Sequence, residues 1–467
     1  MKKKKRKIRK GRVVVALTVL AVLVAFIVYF GYLLVRFGID SIWGDKDNDS
    51  KDSITEVDVT PEMEEQSKAM VCVIDSFMAI PQLLDSSNIA ISVFDATIQR
   101  QIYSYHDHQS LAPASCMKIP TALAAIKRLG LDHRFYESLL VRGEMHGDTL
   151  VGSMLLRADD DPMVFALDSL VRIMRGRGIH HLRGDILVSI ARKDTLRAHP
   201  DAKTWDIPFY KVPLLMRGEA FVKRQLMVDL RRAGVSFRKD IDAFNASYKV
   251  KGAMGNGLYH YVAQKSHSLR DILSYMLIHS SNIKAENVFY HLDNRTGCIS
   301  GRRMDWTATH YVEKWIDETF FADSISDDAS AEDKQKYAEN MAEKGRIRIC
   351  DGSGLCPNNR MTASFLVRML RYAYEDKVLR DYLIDEGLAS PADKVRAGSL
   401  TTRMWRDEYK GRLFCKTGTL VTIGTSSLAG YLVGRDGHWY IFSIINSNSP
   451  IAESRRFQDK LCKAMMK

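Results

Sequence analysis

Apolar and polar positions fall into segments of different period along the chain. Val13 to Val35 is 23 residues long and carries neither a charge nor a polar face. As a helix it would run roughly 35 Å, against about 30 Å for the hydrocarbon of a bilayer. It therefore predicts one membrane-spanning helix. Ile89 to Phe94 alternates as a strand, Asp95-Ala96-Thr97 follows as a turn, and Ile102 to Tyr105 resumes as a second strand. Pro113 introduces a helix from about Ser115 to Leu129, closed by Gly130. Between Leu139 and Val262 short alternating runs (Leu150 to Leu156, Ile186 to Ile190) mix with helical spacing near Val164 to Arg175 and Phe221 to Ala233. That mixture predicts an inserted α+β subdomain. Leu269 to Leu292 reads as helical throughout, and Asp323 to Lys344 as a solvated helix or loop. Gly411 to Cys415, Ser426 to Val433 and His438 to Ile445 predict three consecutive antiparallel strands. Ala452 to Met466 closes the chain as an amphipathic helix.

Charge changes the picture in one place. Among 467 residues, 68 Lys and Arg face 56 Asp and Glu, a net +12 that invites a polyanionic partner. Nine of those charges (Lys2, Lys3, Lys4, Lys5, Arg6, Lys7, Arg9, Lys10, Arg12) lie in the first twelve residues, leaving 12 − 9 = 3 for the rest. The body is nearly balanced, so a nucleic-acid partner is not expected. A basic tail before an apolar span stays cytoplasmic by the positive-inside rule, which places everything after Arg36 outside that membrane. A cleaved signal peptide is the alternative, but its apolar core is usually about 7–15 residues long. Asp40 to Asp58 is acidic and polar and reads as a tether.

Seven cysteines (Cys72, Cys116, Cys298, Cys350, Cys356, Cys415, Cys462) leave at least one unpaired. Cys350 and Cys356 bracket a short loop and could bridge. Without a CxxC or an HExxH, a metal enzyme has little support.

Three short motifs carry candidate chemistry. Ser115 and Lys118 stand three apart, on one face of a helix. A serine hydroxyl needs a base before it attacks, and a lysine serves when burial and nearby positive charge lower its pKa. Ser236 with Lys239 and Ser281 with Lys284 share the spacing but not the apolar, post-proline context. Ser280-Ser281-Asn282 sets a hydroxyl and an amide two apart, as does Ser86-Ser87-Asn88. Lys416-Thr417-Gly418-Thr419 has no second match. Period-two alternation puts Lys416 and Gly418 on one strand face, and the glycine would let a substrate backbone approach.

SxxK, SxN and KTG in this order resemble the active-site set of penicillin-binding proteins and serine β-lactamases. Leu111-Ala112-Pro113-Ala114-Ser115 with Lys118, Asp351-Gly352-Ser353-Gly354-Leu355, and Lys416 to Leu420 followed by Ser426-Ser427-Leu428-Ala429-Gly430-Tyr431 narrow it. They are similar to the D-alanyl-D-alanine carboxypeptidase/endopeptidase family with a domain inserted between SxxK and SxN (class C low-molecular-mass penicillin-binding proteins, peptidase family S13). The resemblance runs from about Asn88 to the C-terminus. It implies an α+β penicillin-binding fold, an antiparallel sheet packed with helices. The chain then divides into a cytoplasmic tail 1–12, a transmembrane anchor 13–35, a tether 36–60, a catalytic domain 61–138 and 263–467, and an inserted α+β subdomain 139–262.

The resemblance further implies peptidoglycan stem peptides as substrates, β-lactams as inhibitors, the cytoplasmic membrane as anchor and no cofactor. Ser115 would be the nucleophile, Lys118 its base, and Ser280 a proton relay to the leaving amine. Lys416 would keep Lys118 deprotonated. Asn282 would hold the substrate backbone, and Lys416, Thr417 and Thr419 the substrate carboxylate. The N–H groups of Ser115 and Thr419 would form the oxyanion hole. Ser281 stands where that family usually has Asp, which implies altered supporting contacts rather than lost chemistry. The insert is shorter than in well-known members. Cys116 and Cys415 flank catalytic positions and would bridge only if close. A serine β-lactamase is disfavoured by the long insert and the lack of an obvious deacylation base. A non-catalytic wall-binding scaffold is disfavoured by the intact motifs.

Overall fold

The computed structural model describes residues 58–81, 83–159, 161–190, 213–237, 242–243, 259–292, 304–326 and 328–467. The expected basic tail, anchor and most of the acidic tether lie outside them. Among the described residues no helix is long and apolar enough to cross a membrane.

A five-stranded antiparallel sheet forms the centre. It contains β1 (Ile89–Asp95) and β2 (Arg100–Tyr105) near the start, and β10 (Leu413–Leu420), β11 (Thr425–Val433) and β12 (Trp439–Asn446) at the end, in the order β10-β11-β12-β1-β2. β1 pairs with β12 in register from Ile89–Asn446 to Asp95–Tyr440, which joins the two halves of the chain. Every residue of β1 is buried, so both faces of the sheet must be covered. On one face Ile89, Ile91, Val93, Cys415 and Leu428 meet Met70, Ile74 and Phe77 of α1 (Pro61–Ala79) and Phe457, Leu461 and Cys462 of α11 (Ile451–Met466). On the other, Ala90, Phe94, Ala429, Tyr431 and Ile441 meet a helical layer. That layer contains α2 (Lys118–Leu129), α5 (Leu269–Ile278), α6 (Asn282–His291), α7 (Met304–Phe320) and α9 (Ala363–Glu375). Each large aliphatic side chain so buried contributes about 1.5–3 kcal/mol.

The second sheet belongs to the insert and has its own core. β3 (Arg134–His146) lies between β4 (Thr149–Ala158) and β9 (His260–Ser268), antiparallel to both. β5 (His181–Arg183) and β6 (Ile186–Ile190) then pair parallel to β4, and β7 (Ser236–Phe237) and β8 (Asp242–Ala243) pair parallel to β5 and β6. α3 (Asp168–Gly176) and α4 (Glu219–Arg232) bury Leu170, Val171, Leu226 and Leu230 against this sheet. Its strands extend a few residues beyond 139–262 at each end.

One expectation needs correction and one refinement. The stretch Leu269 to Leu292 is two helices, because α5 ends in a Schellman turn: Ser281 N–H donates to Met276 O at 3.1 Å and Ser280 takes the left-handed φ of +55°. Ser281 then caps α6 by accepting from Lys284 N–H at 3.5 Å. Serines favour such breaks because they offer the backbone alternative partners. The charged segment is helical as α8 (Ala331–Lys344), but its last turn is anchored: buried Glu343 accepts from Thr362 and pairs with His108 at 2.6 Å. α10 (Lys377–Tyr382) follows α9.

The six described cysteines are all free thiols. Cys350 and Cys356 are both buried and pack together as free thiols. Cys116 and Cys415 sit in different apolar clusters, on opposite faces of the central sheet.

Candidate active site

Ser115 lies in a single 3-10 turn (Ala114–Met117) that runs directly into α2. Ala114 before it holds a left-handed φ of +47°, strained for a residue with a Cβ. Gly354 makes that turn possible: a Cβ there would sit 1.8 Å from Ala114 O. Gly418 of β10 closes the other side, where a Cβ would meet Ser427 Oγ at 2.0 Å and Pro113 O at 2.8 Å. The glycine of KTG thus seats the Ser115 turn against the sheet, a reason different from the substrate approach expected.

Lys118 is fully buried at the start of α2. Its Nζ lies 2.6 Å from Ser353 O, 2.8 Å from Asn282 Oδ1 and 3.0 Å from Ser115 Oγ. An ammonium has three donors and no acceptor; a neutral amine has two donors and a lone pair. Three acceptors would suit an ammonium; two acceptors and a donating hydroxyl suit the neutral amine equally well, so the surroundings decide between them. Burial pushes the Lys118 pKa well down, nearby Lys416 adds to this, and Asp351 and Glu286 oppose it. The positive end of α2 works in the same direction.

Lys416, also fully buried, donates to Ser280 Oγ at 2.8 Å and Thr417 O at 2.6 Å. Burial lowers its pKa to about 8. Thr417 donates to Ser399 Oγ at 2.8 Å. Thr419 Oγ1 donates to Gly418 O and accepts from Arg455 Nη2 at 2.9 Å. Ser115, Lys118 and Asn282 therefore meet in one hydrogen-bonded group, and Ser280 and Lys416 in a second. Thr417 and Thr419 line the same edge strand.

Sequence reasoning missed the supports of this site. Asp351 accepts from Gly354 N–H (2.7 Å), Cys356 N–H (2.6 Å) and Asn359 Nδ2 (2.8 Å), pinning the loop that presents Ser353 O. Glu286 accepts from Ser353 N–H at 3.0 Å, and burial raises its pKa to about 8. Its place four residues after Asn282 on α6 was the available signal. Arg455 gave none, being one cation among several on an amphipathic helix. A cavity of about 790 Å³ between α8 and α9, lined by His108, Glu343 and Arg368 among others, holds none of the motif residues.

The model of the D-Ala-D-Ala carboxypeptidase 3 (S13) family matches residues 71–213 and 324–466, more than half of the chain. The protein belongs to the S13 family. A D-alanyl-D-alanine carboxypeptidase of Actinomadura sp. (strain R39) is 23% identical over 438 residues, 80% of each chain. Penicillin binding protein 4 of Haemophilus influenzae superposes with a TM-score of 0.61 at 16% identity, over 84% of this chain and 99% of that one. That protein has also been solved in complex with a β-lactam. A predatory peptidoglycan endopeptidase of Bdellovibrio bacteriovorus superposes with a TM-score of 0.51 at 16% identity, over 80% of this chain and 92% of that one. The S13 member described here shares their mixed α+β fold.

Proposed function

We infer that this S13 enzyme is a serine-type D-Ala-D-Ala carboxypeptidase/endopeptidase that cleaves peptidoglycan stem peptides through an acyl-enzyme on Ser115. The observation that carries the residue assignment is the set of three partners around Lys118 Nζ. Two carbonyl-type oxygens take its two N–H groups and aim its lone pair at Ser115 Oγ.

Neutral Lys118 takes the Ser115 proton as Oγ attacks the penultimate D-alanine carbonyl. The N–H groups of Ser115 and Thr419 receive the developing oxyanion, a contribution of about 3–4 kcal/mol per donor. Ser280, held by Lys416, passes a proton to the leaving amine. Asn282 spends its carboxamide oxygen on Lys118, which leaves Nδ2 to donate to the substrate backbone. Charged Lys416, Thr417 and Thr419 meet the terminal carboxylate, and Arg455 stands beside Thr419 as a second cation. Water then releases the acyl group.

β-Lactams carry a carboxylate beside an acylating carbonyl and acylate Ser115 in the same geometry. The relative solved with a β-lactam supports this. The basic tail and the 23-residue apolar run support a single-pass anchor in the cytoplasmic membrane, with the catalytic body on the periplasmic side where its substrate is.

The test is covalent labelling of the full chain with a fluorescent penicillin, read on a denaturing gel. The parent protein takes the label and Ser115→Ala does not. An unlabelled parent overturns the enzyme reading, and a labelled Ser115→Ala overturns the nucleophile. Release of D-alanine from a pentapeptide, against cleavage of a cross-linked dimer, separates the two activities.

A further inference from the structure

Away from the catalytic residues, three ligand-type side chains converge at the base of the insert. Glu137 on β3, Asp161 just after β4 and His267 near the end of β9 bring two carboxylate oxygens and a ring nitrogen within 4.8 Å of one another. His267 Nδ1 and Asp161 Oδ2 are 2.7 Å apart. Asp161 is wholly buried and Glu137 is 1% exposed. The other oxygen of Asp161 is fixed by Met163 N–H at 2.7 Å. Glu137 Oε1 is buried and has no hydrogen-bond partner.

Two buried carboxylates side by side are costly unless something positive lies between them. The nearby lysines do not fill that place. Lys265 faces Glu137 across the ladder but is exposed, and the Lys284 ammonium lies over the Tyr275 ring, 4.3 Å from its centroid. A proton on Glu137 would neutralise the pair, yet it satisfies one contact and leaves Oε1 orphaned. A cation satisfies both.

We propose that Glu137, Asp161 and His267 form a structural divalent-cation site that takes Zn²⁺. One imidazole with two carboxylates is a transition-metal donor set, whereas Ca²⁺ and Mg²⁺ prefer oxygen alone. Zinc bonds of about 2.0–2.2 Å in a tetrahedron put ligand atoms about 3.4 Å apart, inside the observed envelope. Water completes the fourth position, and His267, 38% exposed, gives the ion its way in. The Met163 amide that orients Asp161 is the supporting contact such ligands need. The three ligands come from three separated segments, and β9 leads directly into α5, the helix whose end carries Ser280. The ion would therefore tie the insert to the root of that helix. This proposal does not rest on the peptidase reading.

The experiment uses the full chain, stripped with a chelator and titrated with ZnCl₂ against a chromophoric competitor. Cooperative thermal unfolding serves as the control for folding. One Zn²⁺ binds per chain and raises the melting temperature. Glu137→Gln and His267→Ala each weaken it at least tenfold while still unfolding cooperatively. If Glu137→Gln does not fold, His267→Gln, which changes the half-exposed ligand, carries the same comparison. Co²⁺ in the site gives weak visible bands without the intense thiolate charge-transfer absorption that binding at Cys350 and Cys356 would produce. No saturable zinc, equal zinc affinity in the variants, or a thiolate spectrum overturns the proposal. Loss of penicillin labelling alone would count against the peptidase reading and leave the zinc result standing.

Discussion

Two glycines with the same φ but different surroundings let the role of the Ser115 turn be measured. Gly354 and Gly130 both have a φ of +83°. Around Gly130 nothing lies within 4 Å of a built Cβ, whereas at Gly354 that atom would be 1.8 Å from Ala114 O and 2.4 Å from its carbon. Real Cβ contacts do not fall below 3.0 Å, so Gly354→Ala must part the two segments by at least 1.2 Å (3.0 − 1.8). Gly354 is pinned by Asp351, and Ala114 is one residue from Ser115. The displacement is therefore delivered to Ser115. A misplacement of about 1 Å costs about 100-fold in rate. Gly130→Ala incurs only the backbone penalty of its positive φ with ψ 144°, about 1–3 kcal/mol, seen as a few degrees in Tm. Stopped-flow acylation by a fluorescent penicillin reads both variants. The expectation is an approximately 100-fold slower Gly354→Ala and a Gly130→Ala that acylates at the parent rate. Parent-like acylation by Gly354→Ala, or an equal loss in Gly130→Ala, refutes the reasoning.

Three further outcomes are expected. The acylation rate rises with pH as Lys118 loses its proton below the usual lysine range. It falls again near pH 8, where Lys416 deprotonates and weakens its hold on the carboxylate; a profile flat through pH 8 contradicts that role. Arg455→Ala raises KM for D-alanine-terminated peptides about tenfold with kcat nearly unchanged, the worth of a charge-assisted hydrogen bond discounted for exposure. A substrate amidated at that carboxylate removes the difference, and an unchanged KM removes Arg455 from the site. Ser281→Ala loses the cap of α6, about 0.5–1 kcal/mol given the long 3.5 Å bond, and keeps its acylation rate. A large loss of rate there would show that the residue does more than cap.

The sequence by itself determined what is local. The three-residue step from Ser115 to Lys118 fits one helical turn. Alternation placed Lys416 and Gly418 on one face of a strand, and the terminal strands and the last helix follow from period alone. Family membership was legible because these short motifs stand in a fixed order.

Tertiary structure decided what depends on distant partners. A lysine's hold on its proton weakens when it is stripped of water, and its direction is fixed when acceptors take its N–H groups. The residues that do this for Lys118, Asn282 and Ser353, are 164 and 235 positions away. No period announces the break at Ser280, since a helical pattern continues across it and only the Schellman bond to Met276 and the contact with Lys416 show its use. The parallel pairing of β4 with β5 and β6, the approach of Arg455 to Thr419, and the meeting of Glu137, Asp161 and His267 are likewise products of chain crossings. Spacing along a sequence fixes which side chains share a face. Desolvation, charge proximity and hydrogen-bond saturation depend on which faces meet.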